Sequence, residues 1–226
     1  MRLGIAIVVL AAGLTAARAQ QPANGAAEAT ANLTFTLDFP QSNPTHYSIT
    51  VETNGHARYE CTCSITADSD PESYDAEFEV SAVNRDRIFQ WAKDAAFFSG
   101  KIDSGNHKLA FTGTKQLTYQ DGQRSNTAHY NHSNLGPVRQ LTELFQKVAL
   151  TQEYGRRLAY YHHYQKLALD DQLRQLEGQA RNDELSEIHS LAPILQQIVD
   201  DPSVINVVRA RAKELIQMKD DGAPWH

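Results

Sequence analysis

The cysteine pair is the local feature of the sequence with the clearest chemistry. The chain contains two cysteines, and they stand two positions apart in Cys61-Thr62-Cys63. Because alternate residues of a β-strand point to the same face, a strand at this position would hold both thiols side by side. Such a pair can form a disulfide in an oxidising compartment, or bind a soft metal as thiolates. The sequence leaves three states open: free thiols, a disulfide and a metal site.

The metal interpretation of Cys61 and Cys63 is limited by the number of ligands. Structural zinc sites take four ligands, and the sequence has no second cysteine pair. We therefore expect no cofactor, and we keep a soft metal ion such as Cu(I) or zinc as the alternative.

A run of aromatic residues is the second candidate site. It reads Tyr160-Tyr161-His162-His163-Tyr164 and falls on a predicted helix. Adjacent residues of a helix point about 100° apart, so the two histidines are not expected to share a metal there. Tyrosine is common in interfaces, since it buries apolar area and keeps a polar tip. The alternatives are ordinary packing, an interface and a ligand site, and the interface candidates are Tyr160, Tyr161, His163 and Tyr164.

Known catalytic patterns are missing from the sequence. It has no G-x-S-x-G or S-x-x-K nucleophile motif, and no glycine-rich loop of a type that cradles phosphates. The formal net charge of −6 argues against nucleic acid as a partner. These absences favour a protein that is not an enzyme.

The first residues have the pattern of a secretory signal peptide. Met1-Arg2 is positively charged, residues 3–17 are apolar or small, and Ala17-Arg18-Ala19 is a cleavage signal. The apolar run of about 15 residues is shorter than the ~20 that a spanning helix needs. We therefore expect cleavage after Ala19, a periplasmic or secreted protein, and no stable membrane span after cleavage.

The rest of the chain divides into a mixed part and a helical part. Period-two alternation, with Asn54-Gly55 and Asp121-Gly122 as hairpin turns, predicts an antiparallel sheet of five to six strands. Packed helices complete this α+β fold, and apolar stripes at helical spacing predict an all-α extension of about three helices. The predicted segments are a flexible leader at 20–31, an α+β domain at 32–150, a helical region at 151–219 and a frayed tail at 220–226.

Individual elements are predicted from the same patterns. We expect helix breaks at 151–155 and at 181–183. The remaining predictions are strands at 33–39, 46–52, 57–65, 77–81, 108–119 and 123–131, a loop at 68–75, and a helix at 81–99.

Two resemblances add to this picture. The segment Leu191-Ala192-Pro193-Ile194-Leu195, followed by Asp200-Asp201 and Val208-Arg209, resembles a single HEAT-type helical hairpin near 191–216. Residues 46–149 resemble secreted bacterial domains of unknown function, with strand pairs across N-G and D-G turns and a tryptophan-containing helix. The second resemblance implies export and an α+β fold, and it implies no reaction.

The sequence therefore predicts an exported, non-catalytic binding or interaction module of the bacterial cell envelope. Its partner would be a protein or an envelope component, and a homodimer is one form of such a partnership. The first alternative is a periplasmic metal-handling protein that uses Cys61 and Cys63. A weaker alternative is an enzyme of undescribed type.

Overall fold

The structure, a computed structural model, describes residues 30–66, 69–106 and 108–218. The predicted signal peptide, the leader up to residue 29 and the tail at 220–226 lie outside these residues. The last leader residue, Ala31, is buried, and its carbonyl accepts a hydrogen bond from the Thr53 amide at 3.0 Å.

Six strands form one antiparallel sheet in the described part of the chain, in the order β4-β3-β2-β1-β5-β6. Five α-helices accompany it within the described ranges, most of them after the last strand, so the predicted α+β class is confirmed. The strands are β1 (Asn32–Asp38), β2 (His46–Glu52), β3 (His56–Cys63), β4 (Glu72–Glu79), β5 (Thr114–Gln120) and β6 (Ser125–Tyr130). The helices are α1 (Ala82–Asp94), α2 (Gly136–Tyr164), α3 (Leu169–Arg181), α4 (Ala192–Asp200) and α5 (Asn206–Ile216).

The two faces of the sheet differ as the alternation predicts. Apolar residues such as Leu33, Phe35 and Ile49 are fully buried on the inner face, which α1 and α2 cover. The outer face carries polar residues, and Thr34 and Thr50 form a hydroxyl–hydroxyl hydrogen bond of 2.9 Å across it. Both predicted hairpin turns are confirmed, since Asn54-Gly55 joins β2 to β3 and Asp121-Gly122 joins β5 to β6.

Strand β4 begins earlier than the sequence predicts. We predicted a loop over 68–75 and a strand from Glu77, but the observed strand runs from Glu72 to Glu79. It lies at an edge of the sheet and pairs only with β3. Most of its residues are exposed, so polar side chains are tolerated there and the alternation that marks a buried strand is lost.

Helix α1 ends earlier than predicted, at Asp94 instead of Ser99. The chain turns next through Ala96, Phe97 and Phe98, whose φ angles of 51°, 52° and 62° are left-handed. Tertiary contacts stabilise this turn, because the Asn126 side-chain amide donates to the Phe97 carbonyl at 3.0 Å.

Helix α2 is continuous over 29 residues, so the predicted break at 151–155 is wrong. Polar residues that looked like a helix end are buried and have partners. Thr151 donates to the Ser186 carbonyl at 2.8 Å, and the Gln152 amide donates to the Ser190 hydroxyl at 2.9 Å. Gly155 lets α2 pack closely against Leu191, because a Cβ at this position would lie 2.8 Å from a Leu191 methyl group. The predicted break at 181–183 is confirmed, since α3 ends at Arg181.

Two hydrophobic cores share α2. Its first half, including Phe145, packs on the sheet, and the Phe145 ring stacks on Phe35 with centroids 5.4 Å apart. Its second half, including Tyr154 and Leu158, packs with α3, α4 and α5 in a separate core. The domain boundary predicted at 150–151 falls within this helix.

A buried carboxylate joins the helical part to α1. Glu187 is fully buried and accepts hydrogen bonds from the Ser81 amide (2.9 Å), the Ser81 hydroxyl (3.0 Å) and the Asn84 side-chain amide (2.6 Å). These donors lie at the N-terminus of α1, where unpaired amides and the helix dipole favour a negative charge. Glu187 thus fixes the segment after α3 against the α+β part.

We expect Glu187→Ala to lower the free energy of unfolding by about 2–4 kcal/mol, because it leaves buried donors without an acceptor. Urea unfolding followed by far-UV circular dichroism measures this. The matched control is Glu184→Ala, an exposed position three residues earlier, where we expect a change within about 0.5 kcal/mol. Equal losses in the two variants would contradict the assigned role.

Candidate functional site

A disulfide joins Cys61 and Cys63 at the end of β3, with Cα atoms 5.7 Å apart. Both residues are buried on the inner face of the sheet, as the alternation predicts. Of the three states that the sequence left open, the structure has the disulfide. A metal can use these sulfurs as thiolate ligands only after reduction, because only the thiolate is a strong ligand.

This disulfide contributes little to the stability of the fold. The entropic stabilisation from a closed loop grows with its length, and it is about 1.6 kcal/mol for three residues against about 3 kcal/mol for fifteen. The bond also connects two residues of one strand, which pairing with β2 and β4 already holds in place. A structural role explains its presence poorly.

A buried ion pair lies beside the disulfide. Glu153 and Arg156, one turn apart on α2, are each 7% exposed, and Arg156 Nη2 lies 2.6 Å from Glu153 Oε2. Glu153 Oε1 accepts a hydrogen bond from the Tyr59 hydroxyl at 2.8 Å and lies 3.5 Å from Cys61 Sγ. Arg156 also donates to the Ser64 carbonyl at 3.0 Å. The group therefore connects α2 to β3 and to the residue that follows it.

Burial also controls the protonation of the tyrosines around the ion pair. Burial raises the pKa of Tyr59 far above its ordinary value, and the Glu153 carboxylate raises it further. Burial likewise raises the pKa of Tyr74, on β4 opposite Cys61. Tyr59 is therefore a neutral hydrogen-bond donor to Glu153 at any physiological pH.

A cleft of about 820 Å³ opens between the end of α2 and the β3–β4 connection. We call it the α2 cleft. Within the described residues it is lined by Cys63, Ile65, Thr66, Ser69, Asp70, Glu72, Ser73, Tyr74, Arg156, Ala159, Tyr160, His163 and Tyr164. It therefore brings one predicted metal ligand together with three of the four interface candidates.

The aromatic residues of α2 take different positions. Tyr160 and Tyr164 are one turn apart on the cleft side, with ring centroids 5.0 Å apart, and His163 packs edge-on against Tyr164 at 4.2 Å. Tyr164 is 67% exposed, so its ring is available to a ligand. The remaining candidate, Tyr161, instead packs against the helical core.

Sequence reasoning missed Glu153, Arg156 and Tyr74. An acidic and a basic residue three positions apart on a helix are typical of an exposed surface pair, so nothing in the sequence marks this pair as buried. Tyr74 falls within the loop predicted at 68–75, because polar residues surround it. A tyrosine on β4 opposite a cysteine is visible only once the register of the sheet is known.

The chain matches no family model, and comparison with curated proteins gives no match. No helix in the described ranges has the length and apolar character needed to cross a bilayer. The fold and the α2 cleft must therefore support a function by themselves.

Removing one partner of the buried ion pair should be costly. We expect Arg156→Leu to lower the free energy of unfolding by about 3–5 kcal/mol, because it leaves the Glu153 carboxylate buried without its cation. The double variant Glu153→Leu/Arg156→Leu should be more stable than Arg156→Leu, since it buries no unpaired charge. Urea unfolding of both variants measures this, and a double variant that is no more stable than Arg156→Leu would contradict the pairing.

Proposed function

We propose that this protein is an exported, non-catalytic binding module of the bacterial cell envelope, and that the α2 cleft is its ligand site. One observation carries the proposal. The cleft joins the tyrosine-rich end of α2 to Asp70 and to Glu72, the first residue of β4, in a concave space of about 820 Å³. Binding sites for small ligands and short segments are concave and have volumes of roughly 300–1,000 Å³.

The charges of the α2 cleft favour a cationic ligand. Asp70 and Glu72 are exposed in its lining and carry negative charge. Arg156 contributes little positive charge, because Glu153 pairs with it inside the protein. The described lining of the cleft is therefore acidic at neutral pH.

The rings of the α2 cleft support the same ligand chemistry. Tyr74, Tyr160 and Tyr164 present aromatic surface beside the carboxylates. A lysine or arginine side chain can lie over a tyrosine ring and pair with a carboxylate at the same time. We therefore infer that the ligand is an extended basic segment of a protein partner.

The site also fits the predicted export. Disulfides persist mainly in oxidising compartments, and Cys61–Cys63 is a disulfide here. The signal-peptide pattern of residues 1–19 supports the same periplasmic or secreted localisation. Mass analysis of the protein recovered from a bacterial periplasm tests cleavage after Ala19.

The ligand proposal is tested with short labelled peptides that differ only in carrying lysine or glutamate at alternate positions. We expect lysine peptides to bind and glutamate peptides not to bind in fluorescence anisotropy. Tyr160→Ala and Tyr164→Ala should each weaken binding roughly fivefold, the factor that corresponds to ~1 kcal/mol of cation–π energy.

The matched control is Phe111→Ala, an aromatic residue outside the α2 cleft that is 55% exposed. It should leave peptide affinity unchanged. Equal binding of lysine and glutamate peptides would overturn the ligand class. A dimer that Tyr164→Ala dissociates would mean that a second copy of the chain occupies the cleft, and that result would overturn the peptide proposal.

A second candidate function, metal binding, rests on a separate observation. Cys61, Cys63 and Glu153 place one ligand atom each within 4.8 Å of one another, and all three are buried. Two thiolates and a carboxylate suit zinc, and the two thiolates suit Cu(I). The second proposal is therefore that the reduced protein binds a soft metal ion at these residues.

This metal proposal predicts dependence on reduction. Protein reduced with a phosphine should bind about one equivalent of added zinc, because the thiolates are then available as ligands. Elemental analysis after desalting measures the bound metal, and the oxidised protein is the control. Zinc retained equally by Cys61→Ser/Cys63→Ser, or by the oxidised protein, would overturn this candidate.

A further inference from the structure

The two cysteines of the disulfide have different surroundings. Cys63 lines the α2 cleft, and it also lines a smaller cavity of about 110 Å³ on the side of Asn43 and Ser64. Cys61 lines neither cavity, and its sulfur lies 3.5 Å from the buried Glu153 carboxylate. Both residues are buried, but a reagent in the α2 cleft contacts Cys63 and not Cys61.

The bond lacks the usual features of a structural cross-link. It does not connect different secondary-structure elements, since both cysteines belong to β3. The loop that it closes has one intervening residue. Disulfides of this kind gain little from chain entropy. Its position between a ligand-sized cleft and a buried ion pair is therefore better explained by chemistry than by stability.

We infer that the Cys61–Cys63 disulfide is a thiol–disulfide exchange site, with Cys63 as the sulfur attacked from the α2 cleft and Cys61 as the leaving sulfur. The co-reactant is a dithiol, meaning a peptide or protein segment with two cysteine thiols. This inference goes beyond the proposed binding function, because exchange with a small thiol requires no recognition of a basic segment.

The exchange transfers two electrons and two protons from the dithiol to the protein. A thiolate of the dithiol attacks Cys63 Sγ, a mixed disulfide forms, and the Sγ–Sγ bond breaks with its electron pair moving to Cys61. The proton of the attacking thiol ends on Cys61. The second thiol of the co-reactant then attacks the co-reactant's first sulfur, which is bonded to Cys63 in the mixed disulfide. Cys63 leaves and takes the proton of that second thiol. Two electrons and two protons pass to the protein, and the co-reactant becomes a disulfide.

Access to the α2 cleft, and not local charge, distinguishes Cys63 from Cys61 as the target of attack. The Glu153 carboxylate lies within 4.8 Å of both sulfurs, so its repulsion of an anionic thiolate favours attack on neither of them. The Arg156 guanidinium is paired with the same carboxylate, so it adds little charge to the α2 cleft. Because Cys63 lines the α2 cleft and Cys61 does not, access directs attack to Cys63.

Single-cysteine variants test the roles of the two sulfurs. Cys61→Ser leaves one thiol at the α2 cleft, and Cys63→Ser leaves one thiol against Glu153. We expect Cys61→Ser to form a mixed disulfide with oxidised glutathione about tenfold faster than Cys63→Ser, because exchange rates depend on access. Intact mass spectrometry measures the adduct, and far-UV circular dichroism verifies that both variants are folded. Equal rates would overturn the assignment of the attacked sulfur.

The wild-type protein provides a test without substitutions. Treatment with dithiothreitol under native conditions should reduce the disulfide, so that iodoacetamide then labels both cysteines of the folded protein. Reduction that occurs only after urea unfolds the protein would overturn the inference. If the protein binds lysine peptides but resists dithiothreitol, the proposed function stands and this inference is overturned. If it is reduced by dithiothreitol but does not bind lysine peptides, this inference stands and the proposed function is overturned.

Discussion

The continuity of helix α2 is the constraint on which the rest of the structure depends. Its first half covers the inner face of the sheet, and its second half supplies part of the core among α3, α4 and α5. Neither core can close without it, so the two parts of the chain fold against one rigid element. A helix whose buried positions continue through both cores has no place for a hinge at 151–155.

The buried residues at the point where α2 leaves the sheet determine the charge of the α2 cleft. Glu153 and Arg156 are buried there, and a buried charge requires a partner and hydrogen bonds. The Tyr59 hydroxyl donates to Glu153, and the Ser64 carbonyl accepts from Arg156, so the sheet side supplies these hydrogen bonds. As a result Arg156 adds little charge to the α2 cleft, and the acidic residues of the β3–β4 side determine its electrostatics.

The α2 cleft exists because two elements end near each other. Strand β3 ends at Cys63 and helix α2 ends at Tyr164, so neither covers the other beyond that point. Asp201 fixes the chain just after α2, accepting hydrogen bonds from His162 at 2.9 Å and Lys166 at 2.5 Å. The Lys166 and Ser203 hydrogen bonds, with a smaller contribution from His162, hold the pKa of Asp201 well below its usual range. The aromatic end of α2 is thereby attached to the helical part while Tyr160 and Tyr164 face outward.

The sequence by itself determined the features that follow from local periodicity. Period two predicted which strand faces are apolar, the N-G and D-G turns predicted the hairpins, and the spacing of Cys61 and Cys63 placed both on one face. Tertiary structure decided the features that depend on distant partners. Tyr59 and Glu153 are 94 positions apart, so no local pattern marks the carboxylate as buried. The edge position of β4, the unbroken α2 and the meeting of Cys63 with Tyr160 and Tyr164 likewise depend on how the elements pack, because burial is a property of the assembled chain.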